Sequence, residues 1–204
     1  MELWDRLDAA AERLDVLRHP FYVRWSEGTL TRAELGLYAG QYAHAVRALA
    51  AAARSVAGSP EAAAHAAEEE SHIELWDEFA RAVGAGPDAA LPETSDCVHA
   101  WADPDRSKLA TLVALYAIES AQPAISEVKR DGLVDLYGYS PGPATAYFDV
   151  HAERDVEHAR AGRTVISEVR SDASDDGALV AEAERVLAAN WRLLDGVERA
   201  SSGH

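Results

Sequence analysis

The chain of 204 residues has a single cysteine, Cys97, so no internal disulfide can form. Such a chain suits a reducing compartment, and a cytoplasmic location is expected. Basic residues are also scarce: 19 Lys and Arg stand against 35 Asp and Glu, for a formal net charge of −16. A surface that acidic repels phosphate backbones and anionic lipid, which argues against nucleic acid and membrane surfaces as partners. No apolar run approaches the ~20 residues that a membrane-spanning helix needs. The N-terminus, Met1-Glu2-Leu3-Trp4-Asp5, lacks a basic segment followed by an apolar one, so no signal peptide is expected. Stretches that alternate apolar and polar residues are few, which leaves little room for half-buried strands. There is no internal repeat and no second composition regime. The length suits one domain with a large core, expected over residues 1–200 with a frayed tail at 201–204.

What the chain has in quantity is alanine, leucine, glutamate and arginine, all good helix formers. The pattern predicts an all-α bundle of about seven helices. The first covers residues 3–17 and stops before His19-Pro20, because a residue preceding proline is pushed out of the helical region. An aromatic segment follows, with Phe21, Tyr22 and Trp25. Thr31 and Glu34 form a capping box that opens a helix to about Val56. Pro60, at a first helical position, opens the next, to about Val83. A short helix covers residues 94–101. Another starts near Lys108, is kinked by Pro123 and resumes to Leu136. After a turn-rich linker at 137–143, two long helices cover residues 144–169 and 178–199.

Three features could carry chemistry. His151, Asp155 and His158 stand at i, i+4 and i+7, within a narrow arc of one helix. Two imidazoles and a carboxylate pointing one way suit iron, manganese or zinc. The plain alternative is a solvated polar face. Glu69 and His72 form an acid-x-x-His pair on an earlier helix. Asp155 and His158 form a second such pair, and helical di-metal proteins use pairs of this kind. An Ala-Glu-rich helix shows the spacing by accident too, Glu68 fits nearly as well, and His65, two turns before His72, is a third possibility, read first as structural or exposed. Glu119 ends an apolar run from Leu112, so its buried carboxylate needs a partner: Lys129, an arginine, or a metal. Together these supply three carboxylates and three histidines, enough for two ions with positions left open. Such a set is suited to activating O2.

The segments His19-Pro-Phe-Tyr22-Val-Arg-Trp25, Tyr38-Ala-Gly-Gln-Tyr42 and His72-Ile-Glu-Leu-Trp76-Asp-Glu-Phe79 resemble the TenA and PqqC superfamily. Leu115-Tyr-Ala-Ile-Glu119, Lys129 and His151-x3-Asp155-x2-His158 resemble its CADD-type branch of di-metal oxidases. The resemblance implies the haem-oxygenase-like fold, a homodimer, and two iron ions, or manganese and iron. Their ligands would be Glu69, His72, Glu119, His151, Asp155 and His158, with O2 as co-substrate. Some relatives make p-aminobenzoate from one of their own tyrosines, with a lysine implicated. Tyr22, Lys129 and Tyr147 are the matching candidates here, although the plain reading of Lys129 is a surface or ion-pairing residue. Other relatives oxidise small metabolites, so a small-molecule substrate is the other reading. A TenA-like thiamin-pyrimidine hydrolase and a non-catalytic binding protein are the alternatives. The first uses a cysteine on the fifth helix, whereas Cys97 lies earlier and is read as a small buried residue. His44 is a candidate pocket residue, His19 is read as structural, and His99 and His204 carry no signal.

Overall fold

A computed structural model describes residues 2–171 and 173–201, so most of the 201–204 tail, His204 included, lies outside the described residues. Among the described residues there are nine α-helices, one 3-10 turn and no strand. They are α1 (Leu3–Arg13), the 3-10 turn Val16–Arg18, α2 (Pro20–Ser26), α3 (Arg32–Ser55), α4 (Pro60–Val83), α5 (Pro92–Trp101), α6 (Lys108–Glu119), α7 (Gln122–Asp135), α8 (Ala146–Val169) and α9 (Asp176–Ser201). The excess over seven has two sources. The aromatic segment is itself the helix α2, and the helix kinked by proline is divided into α6 and α7. No helix among the described residues is long and apolar enough to cross a membrane.

The helix starts follow local chemistry. Thr31 accepts from Glu34 N–H, and the Glu34 carboxylate returns to the Thr31 backbone, completing the capping box. Ser59 caps α4 ahead of Pro60, and Gly84 ends it at φ +84°, where a side chain would be strained. The start of α2 is capped by a histidine: His19 Nδ1 accepts from Phe21 N–H, and the other ring nitrogen faces Asp195 on α9 at 3.1 Å. Pro123 has no N–H to return to the Glu119 carbonyl, and its ring would collide with that carbonyl. The helix therefore breaks at Ser120-Ala121 and leaves Glu119 as the last residue of α6.

The helices share one apolar core, in which Trp25, Trp76, Trp101, Tyr22, Tyr38, Phe21, Phe79 and Phe148 are buried. The longest interface pairs α3 with α4, while α7 lies along α8 and α6 sits against both α8 and α9. Gly132 sets how closely α7 approaches α2. A Cβ there would lie 2.7 Å from the Trp25 indole nitrogen, which donates to the Lys129 carbonyl at 3.3 Å. A side chain at 132 would push the Trp25 indole away from this contact with the α7 backbone.

Candidate metal centre

Residues 65, 69 and 72 fall on one stripe of α4, and residues 151, 155 and 158 on one stripe of α8. The two stripes face each other in opposite directions. The His72 and His151 rings are 4.5 Å apart, and so are those of His65 and His158, seven residues away in each helix. Glu119, at the end of α6, closes the third side with Oε1 3.2 Å from His65 Nε2. Two groups of donors with metal-holding geometry result: Glu69, His72 and His151, all buried, and His65, Glu69 and His158. Glu69 belongs to both.

The polar accounting of this cluster is unusual. Six buried atoms lack a hydrogen-bond partner: His65 Nε2, Glu69 Oε1, His72 Nδ1, Glu119 Oε1, His151 Nε2 and Asp155 Oδ2. Leaving a buried polar atom unsatisfied costs about 1–3 kcal/mol, more if charged. Several of these atoms approach one another, as His72 Nδ1 and Glu69 Oε1 do at 3.3 Å, yet none is aimed for a hydrogen bond. Donors that converge without pointing at each other are arranged for a cation, and nitrogen and carboxylate oxygen are donors that suit iron or manganese. The residues present fit the metal that the sequence implies.

The protonation pattern agrees. His151 Nδ1 lies 2.8 Å from the Tyr147 carbonyl, which only accepts, so Nδ1 carries the proton and Nε2 offers its lone pair. Burial holds this imidazole neutral, down to about 4. Burial pushes Asp155 up to about 7 and raises Glu119. Burial would raise Glu69 as well, but the imidazoles of His72, His151 and His65 around it outweigh burial and hold it below its ordinary value. The His158 ring is held at Nδ1 by Asp155 at 3.2 Å and at Nε2 by Glu68 at 3.3 Å. The Asp155 contact pushes it up to about 9. Glu68 thus sits at the rim with Arg154, whereas Glu69 points inward.

The six residues read from the sequence as ligands come together, and His65 joins them. It is neither exposed nor remote: its side chain is 23 % exposed and faces both Glu119 and Glu69. The signal that could have found it is a repeated spacing, His-x3-Glu-x2-His on α4 and His-x3-Asp-x2-His on α8. Glu119 has no lysine or arginine within ion-pair distance among the described residues, so His65 is the basic side chain it faces.

Lys129 is a second correction. It is neither a surface nor an ion-pairing residue but is 1 % exposed, in a box of rings. Its ammonium lies 4.9–5.8 Å from the ring centres of Tyr22, Tyr38, Tyr42, Trp76 and Phe148. Burial lowers it to about 7, so a large share is the neutral amine at neutral pH. The Tyr22 and Tyr38 hydroxyls share a 2.7 Å hydrogen bond, and burial raises both phenols well above their ordinary value. Tyr147 joins this box to the metal cluster, stacked on His151 with ring centres 4.0 Å apart and edge-on to Trp76 at 4.8 Å.

Other residues have structural duties. Cys97 is buried and its thiol is pushed up to about 12, which makes it no nucleophile. His44 Nε2 lies 3.3 Å from the Asp88 carbonyl, away from the ring box. Trp76 and Phe79 are core, while Trp191 is partly buried against His19.

A family model described as iron-containing redox enzyme matches residues 61–191, the span that holds all seven clustered donors. The chain is similar to a 4-aminobenzoate synthase of Nitrosomonas europaea, 32% identical, over 94% of this chain and 89% of that one. It is also similar to a 4-aminobenzoate synthase of Chlamydia muridarum, 34% identical, over 86% of this chain and 82% of that one. A solved domain of unknown function with a haem oxygenase-like fold, from Shewanella denitrificans, superposes with a TM-score of 0.80 at 20% identity, covering 99% of this chain and 94% of that one. The architecture is therefore haem-oxygenase-like.

Proposed function

The chain belongs to the iron-containing redox enzyme family, and we propose that it is an oxidase with two iron ions, or manganese and iron, that uses O2 to oxidise one of its own tyrosines. Glu69, His72, Glu119, His151, Asp155 and His158 would hold the metal. When bound, iron supplies the electrons that reduce O2 and the oxidising power that attack on a phenol ring requires. The observation that carries the reading is the enclosure of Lys129 among tyrosines beside the metal cluster.

The named product of the relatives, 4-aminobenzoate, is a benzene ring with nitrogen and a carboxyl group para to each other. A tyrosine side chain is the same ring with oxygen and Cβ para to each other. Conversion requires nitrogen in place of the phenol oxygen, which leaves as water, oxidation of Cβ to a carboxyl group with O2 as the oxidant, and cleavage of the Cα–Cβ bond; with Lys129 as the nitrogen source, its Cε–Nζ bond must break as well. Tyr22 has its ring centre 5.2 Å from Lys129 Nζ, the only amine in the box of rings among the described residues. The amine has the lone pair that attack needs because burial disfavours its protonated form. The Tyr22 phenol is kept protonated by burial, and its oxygen is held by a 2.7 Å hydrogen bond with the Tyr38 hydroxyl. Tyr147, stacked on His151, is placed to pass oxidation from the metal cluster to the box. The wall of rings excludes water, which limits side reactions of an oxidised ring.

The same reading takes the chain as one domain that works as a cytoplasmic homodimer. Protein grown on ring-deuterated tyrosine, loaded anaerobically with ferrous iron and then exposed to air, should release ring-deuterated 4-aminobenzoate, detected by mass spectrometry. The protein should lose the matching mass at Tyr22. Full yield from Tyr22→Phe would eliminate Tyr22 as the source, and an unlabelled product would point to an external small molecule.

A further inference from the structure

The ligand set of three carboxylates and three histidines leaves one feature of the cluster unused. α4 and α8 carry the same donor spacing, His65-x3-Glu69-x2-His72 and His151-x3-Asp155-x2-His158, and run past each other in opposite directions. Position 65 is therefore opposite 158, and 72 opposite 151. Both histidine pairs have a ring-centre separation of 4.5 Å. The carboxylates of the two motifs lie between the pairs.

We propose that His65 is a metal ligand, so that each of two ions takes one histidine from α4 and one from α8, with Glu69 shared between them. The inner position is formed by His72 and His151, and the outer by His65 and His158 with Glu119 at their side. This rests on the two-ion reading above and adds a seventh donor to it. Three observations converge on His65. Its Nε2 is a buried atom with no hydrogen-bond partner. That nitrogen lies 3.2 Å from Glu119 and 3.8 Å from Glu69, two carboxylates from different helices. It also belongs, with Glu69 and His158, to one of the two groups with metal-holding geometry. A surface histidine satisfied by water would show none of these.

The two positions are not equivalent. The inner donors are buried, with Glu69 and His151 each 1 % exposed. The outer histidines have side chains 23 % and 14 % exposed, and Glu68 and Arg154 lie at that rim. An ion in the outer position is therefore closer to solvent and should leave first.

Cobalt(II) serves as the probe, because its binding is read by calorimetry and by elemental analysis after desalting, without turnover. The unsubstituted protein should bind two ions per chain, and a chelator should remove one at least ten times faster than the other. His65→Ala and His65→Gln should each retain one ion, the slowly removed one, while His72→Ala should lose the slow ion. If the unsubstituted protein binds two ions and both His65 variants also bind two with unchanged affinity, His65 is not a ligand, although the two-ion reading stands. If the unsubstituted protein binds only one ion or none, the two-ion reading fails and this inference with it. A measurement that needs no variant covers the case in which substitution prevents folding. Bound cobalt should protect His65 from carbethoxylation by diethylpyrocarbonate, mapped by mass spectrometry. Equal modification with and without cobalt would overturn the assignment.

Discussion

Replacing Lys129 with methionine should make the protein more stable, and by an amount that depends on pH. Methionine keeps the length and flexibility of the side chain and removes its charge. Lysine titrates at about 10.5 when exposed, but burial lowers it here to about 7. Between those values the unfolded chain binds a proton that the folded chain does not. Stability is therefore lowest below pH 7, rises as the pH climbs toward 10.5, and is no longer penalised above it. At about 1.4 kcal/mol per pH unit, the lysine destabilises the fold by about 4 kcal/mol at pH 7 and by less than about 1 kcal/mol at pH 10. These figures are ceilings, because the surrounding rings attract the ammonium and offset part of the cost of burying it. Urea unfolding of both proteins at half-unit steps from about pH 7 to pH 10 measures the difference. The other titrating groups are common to both proteins and largely cancel. A gap that narrows by a few kcal/mol over this range is expected. A gap that stays constant would mean that Lys129 does not titrate from an apolar site, and the reasoning about its free amine would fall with it.

Gly132→Ala should destabilise the fold by about 1–3 kcal/mol, as overpacking does, and shift Trp25 fluorescence, because the new Cβ meets the indole at 2.7 Å; an unchanged melting temperature would contradict that contact. Thr31→Ala should cost about 1 kcal/mol in urea unfolding through loss of the α3 cap, and Thr31→Ser should restore most of it. Cys97 should resist thiol reagents until the protein is unfolded, given its burial and its thiol at about 12, and fast labelling of native protein would show the site to be open. Manganese(II) or iron(II) at a hundred times its dissociation constant should add about 2.7 kcal/mol per ion to stability. Glu69→Gln should abolish most of that gain, as judged by thermal melts with and without metal.

How far the sequence could be read depended on how local each signal was. His151, Asp155 and His158 announce themselves because three donors lie within eight residues, and helical periodicity alone places them on one face. Thr31, Pro60 and Pro123 are equally local, and each marks a helix boundary that the structure has within a residue or two. The start of α2 was harder to see, since its cap is His19 rather than one of the usual small polar residues. His65 was obscured by its setting among alanines and glutamates, where acid-x-x-His spacings arise freely. The burial of Lys129 could not be read locally at all. It depends on the break at Ser120-Ala121, which sets the direction of α7, and on Gly132, which lets α7 close onto Trp25. Both act at a distance, through packing that no window of sequence contains.

The row of rings that packs the core also has an electrical consequence. From His151 outward, Tyr147, Trp76, Tyr42 and Trp101 follow one another with centres 4.0, 4.8, 5.0 and 6.1 Å apart. Tyrosine and tryptophan are the side chains most easily oxidised by one electron, and the last of these lines an apolar cavity of about 220 Å³ together with Asn190 and Ile118. Such a row has the spacing to carry positive charge away from its inner end. On the function proposed above, an oxidising equivalent made at the centre and not used there would have a path of four ring-to-ring steps to Trp101. Trp76→Phe interrupts that path at its second ring. Oxidative damage, mapped by mass spectrometry after repeated exposure of the iron-loaded protein to air, should then fall on Tyr147 and the histidines rather than on Trp101.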